Sequence, residues 1–339
     1  MNNCQIKSQL SQLRIAYTPD KLLVLHHGAL GDLLCAWPAL LALSEAFADM
    51  GRYALVRPSH HFLVRPLGYL PCPGELRAAE NAFHLQTEDS APPIPLNPRL
   101  FRFCLAKLPD YVPKGAHCLT ALSEDIQPVA HNLLAQLKAL GLAVPAMEEC
   151  LTRFREFFGA WKGQTRRLVG IFPGSGHRAK NWPLERFAEI AQELAHGGYH
   201  AVQILGPAEQ ERNIRLPDLP VHCPQDLAEL ADILANMRLV FGNDSGPLHL
   251  AAWLGVPCAV LFGPSDARRW GPPGAQCLCS PLPCAPCTGD MLRLGCATPE
   301  CMEAVSTEHV LRELQKLMKE TSEDLNKLND KTRLFQRKR

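Results

Sequence analysis

The sequence lacks a strong excess of charge of either sign, and it lacks a long uninterrupted apolar run. Its 339 residues carry 35 Lys and Arg against 34 Asp and Glu, a formal net charge of +1. Nucleic-acid-binding proteins normally show a pronounced basic excess, so we expect no nucleic-acid partner. The longest apolar run, LLCAWPALLAL, contains Pro38 and is shorter than the ~20 residues that a membrane span needs.

Signals for export are lacking as well. The N-terminal stretch MNNCQIKSQLSQLRIAYTPD has no charged segment followed by an apolar one, which is the layout of a secretory signal. The 14 cysteines do not indicate a disulfide scaffold, because such scaffolds are short chains and Cys35, Cys104 and Cys258 lie in apolar runs. We therefore expect a cytoplasmic protein of about two domains.

Two stretches of the chain repeat the pattern of a buried strand, a glycine-containing turn and a helix. KLLVLHHGALGDLLCAWPALLALSEAF predicts a strand at Leu22–Leu25 and a helix that ends near Phe47. The second stretch predicts a strand at Leu168–Phe172, a helix at Leu184–Ala195 and a strand at Ala201–Leu205. Strand–helix alternation is typical of α/β domains with parallel sheets, so the sequence predicts two Rossmann-like domains.

The predicted domains meet in the polar segment FFGAWKGQTRR. We expect a first domain at residues 1–162, a second at 163–310, and a C-terminal helix and basic tail at 311–339. Ser123–Leu142 predicts a further amphipathic helix, and an apolar stripe from Thr307 onward predicts the C-terminal one. The tail KTRLFQRKR is interpreted as a solvated end, and peripheral contact with an anionic inner membrane surface is the less favoured alternative.

A strand-to-helix junction, FGNDSGPLHLAAWLG, combines residue types that suit an anion. Asp244 or Ser245 can cap the helix, Gly246 lets a ligand approach the backbone closely, and His249 lies one turn further on. Free backbone amides and the helix dipole at such an N-terminus favour phosphate. The alternative is an ordinary capped helix with a buried histidine.

Two further loops carry candidate residues. PGSGHRAK offers Ser175 and Gly176 for close approach and Lys180 as a point charge. It is neither a Walker A loop nor a complete GxGxxG, which disfavours P-loop and hydride-transfer enzymes, whereas two phosphate cradles in one domain suit a nucleotide diphosphate. In HHGALGDLL, Asp32 lies at the start of a helix, where it is either a cap or, if two domains face a cleft, a general base.

These three elements, in this order, resemble glycosyltransferase family 9, the ADP-heptose:lipopolysaccharide heptosyltransferases. The segments that carry the resemblance are GALGDLLCAWPAL, FPGSGHRAKNWPLERFAEIA and GNDSGPLHLAAWLGVPCAVLFGPSDARRWGP. It is strong over residues 168–310 and 22–43 and thin over 51–156. It implies an α/β protein with the GT-B fold, in which two Rossmann-like domains face a central cleft, with the acceptor on the N-terminal domain and the nucleotide-sugar on the C-terminal one.

The resemblance also implies an activity. It implies inverting transfer of a sugar, heptose in the family, from an ADP-sugar to a lipopolysaccharide-core or other surface glycan acceptor, without a metal. Asp32 matches the catalytic base, and Glu209 matches an acid that binds the nucleoside ribose. The remaining donor-binding positions of the family are matched by Ser175, Gly176, Lys180, Asp244, Ser245, Gly246 and His249.

Departures from the family pattern surround the implied acceptor site. His26 and His27 stand where the family more often has a basic residue followed by small polar ones, and Cys35 stands where histidine is common. Four alternatives stay open: a GT-B enzyme with another nucleotide-sugar donor, a sugar-nucleotide epimerase, a non-catalytic nucleotide-binding relic and, least favoured, a zinc-dependent binding module.

A Cys-rich loop occupies residues 277–301. A C-x2-C pair followed by two further cysteines can hold zinc or an iron–sulfur cluster, but the second pair is C-x4-C, and similar loops recur in the resembled family as a structural feature. We expect a structural loop and no cofactor. Structural zinc is the less favoured alternative, with ligands Cys284, Cys287, Cys296 and Cys301.

Overall fold

The computed structural model describes residues 21–72, 100–104, 116–163, 167–287 and 300–320. The chain divides into two compact units, one up to Cys150 and the other from Leu151. Each unit contains one sheet, and all the described strand pairs are parallel. The predicted pair of α/β parallel sheets is therefore confirmed.

The first unit contains a five-stranded sheet with the strand order β3-β2-β1-β4-β5. Its strands are β1 (Lys21–Leu25), β2 (Gly51–Leu55), β3 (Leu70–Pro71), β4 (Leu100–Cys104) and β5 (Ala116–Thr120). Its helices are α1 (Leu30–Ala46), α2 (His61–Val64), α3 (Val129–Ala139) and the first residues of α4 (Met147–Phe158), with 3₁₀ turns at Pro58–His60 and Arg65–Leu67. Leu23 of β1 pairs with both β2 and β4, which places β1 at the centre.

The apolar run LLCAWPALLAL lies in α1, where all of its residues are buried. The Trp37 side chain is fully buried, and its indole Nε1 donates to the Leu63 carbonyl oxygen at 3.0 Å. The run therefore forms a core helix of the first unit. Among the residues that the structure describes, no helix is both long and apolar enough to cross a membrane.

The second unit contains a six-stranded sheet with the strand order β11-β10-β9-β6-β7-β8. Its strands are β6 (Leu168–Phe172), β7 (His200–Ile204), β8 (Val221–His222), β9 (Leu239–Asn243), β10 (Cys258–Phe262) and β11 (Gln276–Cys279). Its helices are α5 (Leu184–His196), α6 (Pro207–Glu211), α7 (Leu227–Ala235), α8 (Gly246–Leu254), α9 (Ala267–Trp270), α10 (Glu300–Glu303) and α11 (307–320), with a 3₁₀ turn at Arg178–Lys180.

Both sheets reverse their strand order at the same point. The first three strands of each unit follow one another towards one edge, and the fourth strand returns to lie beside the first. The reversal falls between β1 and β4 in the first unit and between β6 and β9 in the second. Doubly wound sheets bind ligands at the carboxyl ends of the strands at such a reversal, so these two points are where candidate sites are expected.

Most of the strands and helices predicted from the sequence are present within a residue or two of their expected ends. The helix expected at Ser123–Leu142 is wrong over its first residues, because α3 begins only at Val129. Pro128 precedes it, and the residue before a proline is disfavoured in helical conformation. The C-terminal helix expected from Thr307 is confirmed as α11 within the described residues.

The division between the units lies N-terminal to the boundary expected at residues 162 and 163. Most of α4 groups with the second unit because its side chains pack there. The Phe154 ring lies 5.1 Å from the Trp253 ring, and Arg155 Nε donates to the Trp253 carbonyl oxygen at 3.2 Å.

Replacing Gly242 with alanine should destabilise the second unit. A Cβ at Gly242 would overlap the carbonyl oxygen of Phe172 on the neighbouring strand β6, so the two central strands would have to separate. We expect a loss of about 2 kcal/mol in the free energy of unfolding, measured by urea denaturation followed by the fluorescence of the buried Trp182 and Trp253. Gly176→Ala is the control, since a Cβ there meets no atom within 4 Å. Equal stability of the two variants would contradict the prediction.

Candidate functional site

The strand reversal of the second unit brings together loops that are far apart in sequence. Lys180, in the 3₁₀ turn after β6, places its Nζ atom 2.7 Å from Oδ2 of Asp244, which follows β9. Ser265, which follows β10, donates its Oγ hydrogen to the same carboxylate oxygen at 2.8 Å. The Asp244 side chain is 6% exposed and that of Lys180 is 22% exposed. The site is therefore a buried carboxylate that holds a partly accessible ammonium group.

His249, in the first turns of α8, faces the other oxygen of the same carboxylate. Its Nε2 atom lies 3.9 Å from Asp244 Oδ1, and its side chain is buried. Burial on its own raises the pKa of Asp244, but His249 and Lys180 beside the carboxylate outweigh burial and hold this pKa well below its usual range. Asp244 is consequently ionised at neutral pH, which keeps Lys180 oriented.

Asn243 connects the same loops through the backbone. Its side chain is fully buried, accepts a hydrogen bond from the Trp182 amide at 2.9 Å and donates to the Pro173 carbonyl oxygen at 2.7 Å. Neither Asn243 nor Ser265 is predicted from the sequence as a site residue. A polar residue at the carboxyl end of a buried strand is the signal that identifies both positions.

The N-terminus of α8 differs from the capped helix that the sequence predicts. Ser245 occupies the N-cap position, but its side chain makes no capping hydrogen bond, and the Asp244 carboxylate is bound to Lys180 instead. The Ser245 Oγ atom is buried and has no hydrogen-bond partner among the described residues. Pro247 lies in the first turn, as expected, and Gly255 ends the helix with a left-handed backbone. An unpaired hydroxyl at a helix N-terminus is a free group for an anionic ligand.

The loop after β6 is held in shape by its own side chains. The Ser175 Oγ atom lies 2.8 Å from the His177 carbonyl oxygen and 2.6 Å from Asn181 Oδ1, and Ser175 is buried. The hydroxyl of Ser175, which the resemblance assigns to donor binding, is thus engaged within the loop. In this structure the loop offers a ligand its backbone and Lys180.

Glu209, in α6, packs against this loop. Its Oε2 atom accepts a hydrogen bond from the Gly206 amide at 2.9 Å, which caps the start of the helix. A Cβ at Gly174 would overlap the other carboxylate oxygen, so only glycine lets the loop lie so close. Arg212, which follows α6, donates to the carbonyl oxygens of Ser175 and Gly176 and was also missed by the sequence analysis.

The strand reversal of the first unit carries Asp32 at the start of α1. Asp32 Oδ2 accepts a hydrogen bond from the Ala29 amide at 2.7 Å, so the carboxylate does cap the helix. A Cβ at Gly28 would lie 2.8 Å from Asp32 Oδ2 and 2.7 Å from His26 Cε1, so glycine allows the carboxylate and this imidazole to converge. Only one carboxylate oxygen of Asp32 accepts this capping hydrogen bond, so the other oxygen can take up a proton.

Two buried histidines lie near Asp32. His26 and His60 are about 5% and 4% exposed, and the Nδ1 atom of each has no hydrogen-bond partner among the described residues. Burial is the main cause, and the positive charge of Arg57 a smaller one, of a pKa lowered to about 4 for both imidazoles. Both are therefore neutral at pH 7. The resemblance places a basic residue at the position of His26, so this surrounding of Asp32 is less positively charged than the family pattern implies.

The Cys-rich loop is described only in part. Cys284 is exposed and Cys287 is half-buried, whereas Cys296 lies outside the described residues. Within the described ranges, no group of three or more His, Cys, Asp or Glu side chains is arranged to hold a metal ion.

Comparison with known proteins gives one matching family model. Residues 129–297 match glycosyltransferase family 9 (heptosyltransferase). The chain is 33% identical over 164 residues to lipooligosaccharide heptosyltransferase 2 of Haemophilus influenzae, an alignment that covers 45% of this chain and 46% of that protein. The chain spans about half the length of the curated relatives it matches.

Solved structures resemble the chain over a larger part of its length. A glycosyltransferase family 9 protein from Veillonella parvula has a TM-score of 0.61 at 20% identity and covers 89% of this chain and 98% of its own. The structure of E. coli heptosyltransferase WaaC with ADP has a TM-score of 0.56 at 17% identity, and the match covers 88% of this chain and 99% of WaaC. This likeness confirms the predicted α/β fold class of GT-B type. The arrangement of the two domains about a cleft stays a prediction.

The two buried histidines should make the free energy of unfolding decrease as the pH is lowered. Between the usual histidine pKa of 6.5 and the folded-state value of about 4, the unfolded chain takes up protons that the folded one excludes. Folding stability is therefore lost as pH falls, by on the order of 3 kcal/mol per histidine. Urea denaturation at about pH 7 and about pH 5 measures about 2 kcal/mol of this loss per histidine, because pH 5 still lies above the folded-state pKa. We expect it to shrink in the His26→Gln/His60→Gln double variant.

His196→Gln is the control for this experiment, because the His196 side chain is 78% exposed. The control should lose as much stability as the wild type on acidification. An unchanged loss in the double variant would show that His26 and His60 do not carry it.

Proposed function

We propose that the chain is a member of glycosyltransferase family 9, whose model it matches over residues 129–297, and that it is an inverting glycosyltransferase with an ADP-sugar donor. The proposed sugar is a heptose and the proposed acceptor is a lipopolysaccharide-core or other surface glycan, because the matched relative from Haemophilus influenzae is a lipooligosaccharide heptosyltransferase. The observation that carries the proposal is the Lys180–Asp244 pair at the strand reversal of the second unit, beside the N-terminus of α8.

The donor diphosphate is proposed to bind where Lys180 meets α8. An ammonium group has three donors, and only one is needed for Asp244, so the partly exposed Lys180 keeps two for phosphate oxygens. The pair carries no net charge. Affinity must therefore come from directed hydrogen bonds, to which the α8 amides and the unpaired Ser245 hydroxyl contribute together with the helix dipole. Gly246 and His249 complete this proposed site.

The nucleoside is proposed to lie towards α6. The carboxylate of Glu209 can accept hydrogen bonds from ribose hydroxyls while its Oε2 atom holds the Gly206 amide, since each carboxylate oxygen accepts more than one bond. Its position against Gly174 places it beside the loop that leads to Lys180. Ribose and diphosphate would then contact consecutive parts of one surface.

Asp32 is proposed as the general base. Its Oδ2 atom is fixed by the Ala29 amide, which orients the carboxylate and leaves the second oxygen to take a proton. The acceptor hydroxyl loses that proton to Asp32 as its oxygen attacks the anomeric carbon. The bond between that carbon and the diphosphate oxygen breaks in the same step, so the configuration inverts. Lys180 and the α8 N-terminus stabilise the negative charge of the leaving diphosphate.

In the proposed reaction the diphosphate leaves without the help of a metal ion. The Cys-rich loop is proposed to be a structural element. The proposed substrates, a nucleotide-sugar and a glycan or glycolipid acceptor, place the reaction in the cytoplasm. Any membrane contact would then be peripheral and at the inner surface. The basic tail, which would make such a contact, lies outside the described residues.

Calorimetry with nucleotides tests the donor site. We expect binding of ADP without Mg²⁺, in preference to UDP and AMP. Lys180→Ala should weaken ADP binding by roughly tenfold or more, because it removes a charge-assisted hydrogen bond to phosphate. Lys316→Ala, at a side chain that is 61% exposed, is the matched control and should bind ADP like the wild type. Preference for another nucleotide would move the enzyme to a different donor, and no nucleotide binding would refute the site.

Replacing Asp32 with asparagine tests the base. Asparagine retains an acceptor for the Ala29 amide, so the start of α1 is preserved, but it cannot take a proton. We expect turnover of ADP-heptose with a lipopolysaccharide-core acceptor, measured as ADP release, to fall by about a thousandfold, with ADP affinity changed by no more than a few fold. The exposed Asp49→Asn variant should keep wild-type turnover. Retained turnover in Asp32→Asn would refute the role.

A further inference from the structure

Arg212 binds two consecutive carbonyl groups of the loop after β6. Its Nη1 atom donates to the Ser175 carbonyl oxygen at 3.0 Å, and its Nη2 atom approaches the Gly176 carbonyl oxygen at 3.4 Å. Arg212 follows α6 in the chain, so these bonds connect the end of that helix to a loop from another strand. Because the guanidinium group is planar and rigid, it fixes the orientation of both peptide groups at once.

The orientation of these carbonyls determines where the loop amides point. The peptide bonds that follow Ser175 and Gly176 are trans, and in a trans peptide the C=O and the next N–H point in opposite directions. Since both carbonyl oxygens point to Arg212, the amides of Gly176 and His177 both point away from it. Two neighbouring N–H groups that share a direction form a concave donor for an anion.

Two further observations indicate that these amides are free for a ligand. Within the described residues, neither the Gly176 nor the His177 amide donates a hydrogen bond. There is also room beside them, because a Cβ at Gly176 would meet no atom within 4 Å, whereas Gly174 is packed against Glu209. The open part of the loop is therefore the part whose amides Arg212 orients.

We propose that Arg212 is a positioning residue that aims the Gly176 and His177 amides at the pyrophosphate of the nucleoside diphosphate donor. The inference rests on the proposed function for the identity of the donor. It assigns the hydrogen bonds of this loop to two backbone amides, since the Ser175 hydroxyl is engaged within the loop. Arg212 acts through the backbone and does not touch the donor.

Titration calorimetry with ADP, inorganic pyrophosphate and adenosine tests this role in the variants Arg212→Gln and Arg212→Lys. We expect both variants to bind ADP and pyrophosphate about five- to tenfold more weakly and to bind adenosine unchanged. Lysine keeps the charge but cannot donate to both carbonyls with one rigid group, so it should not rescue binding. Arg215→Gln, at an exposed arginine of the same segment, is the matched control and should behave as the wild type.

The outcomes separate this inference from the proposed function. Unchanged pyrophosphate and ADP affinity in Arg212→Gln would overturn the inference while leaving the donor intact. Wild-type affinity in Arg212→Lys would overturn it too, because it would mean that the positive charge acts directly. If the wild type bound pyrophosphate with no preference for ADP, the proposed donor would fail, but loss of pyrophosphate binding in both variants would still support the role of Arg212. A wild type that bound neither would overturn both.

Discussion

The second unit depends on one buried negative charge. A carboxylate as deeply buried as that of Asp244 is costly unless it is paired and hydrogen-bonded, and Lys180 and Ser265 supply both kinds of partner. Asp244 and these two partners come from the loops after β9, β6 and β10, so satisfying one charge fixes the positions of three loops at the strand reversal. The same contacts leave Lys180 oriented and partly exposed. The contacts between Asp244 and Lys180 thus both stabilise the fold and hold a cation where a ligand can reach it.

The sequence predicts the elements well because their signals are local. Apolar runs such as Leu168–Phe172 identify the buried strands, and a proline-bearing first turn identifies α8. Local signals do not predict the strand order, and it is the strand order that brings Lys180 close to Asp244. The residues predict that the two loops cradle one diphosphate, but not the direct pairing of the Lys180 and Asp244 side chains. Ser265 and Arg212 were missed for the same reason, since their partners lie on other strands and no short motif connects them.

The first unit places Asp32 in a different electrostatic setting. Its neighbours His26 and His60 are buried and neutral, and Arg57 is the nearby permanent cation. The departure of this sequence from the family pattern therefore concerns the surroundings of the proposed base, not its position on the fold.

The core of the second unit has a consequence for the synthesis of the protein. The last strand of its sheet, β11, ends at Cys279. One face of the sheet is covered by the later helix α11, where Val310 and Leu314 are fully buried. Trp182 also needs the Val305 carbonyl oxygen as the acceptor for its indole, at 2.9 Å. The ribosome synthesises these residues after all the described strands of the sheet, so until they emerge the sheet has one apolar face open to water. During that interval the nascent protein is exposed to aggregation and is a substrate for chaperones.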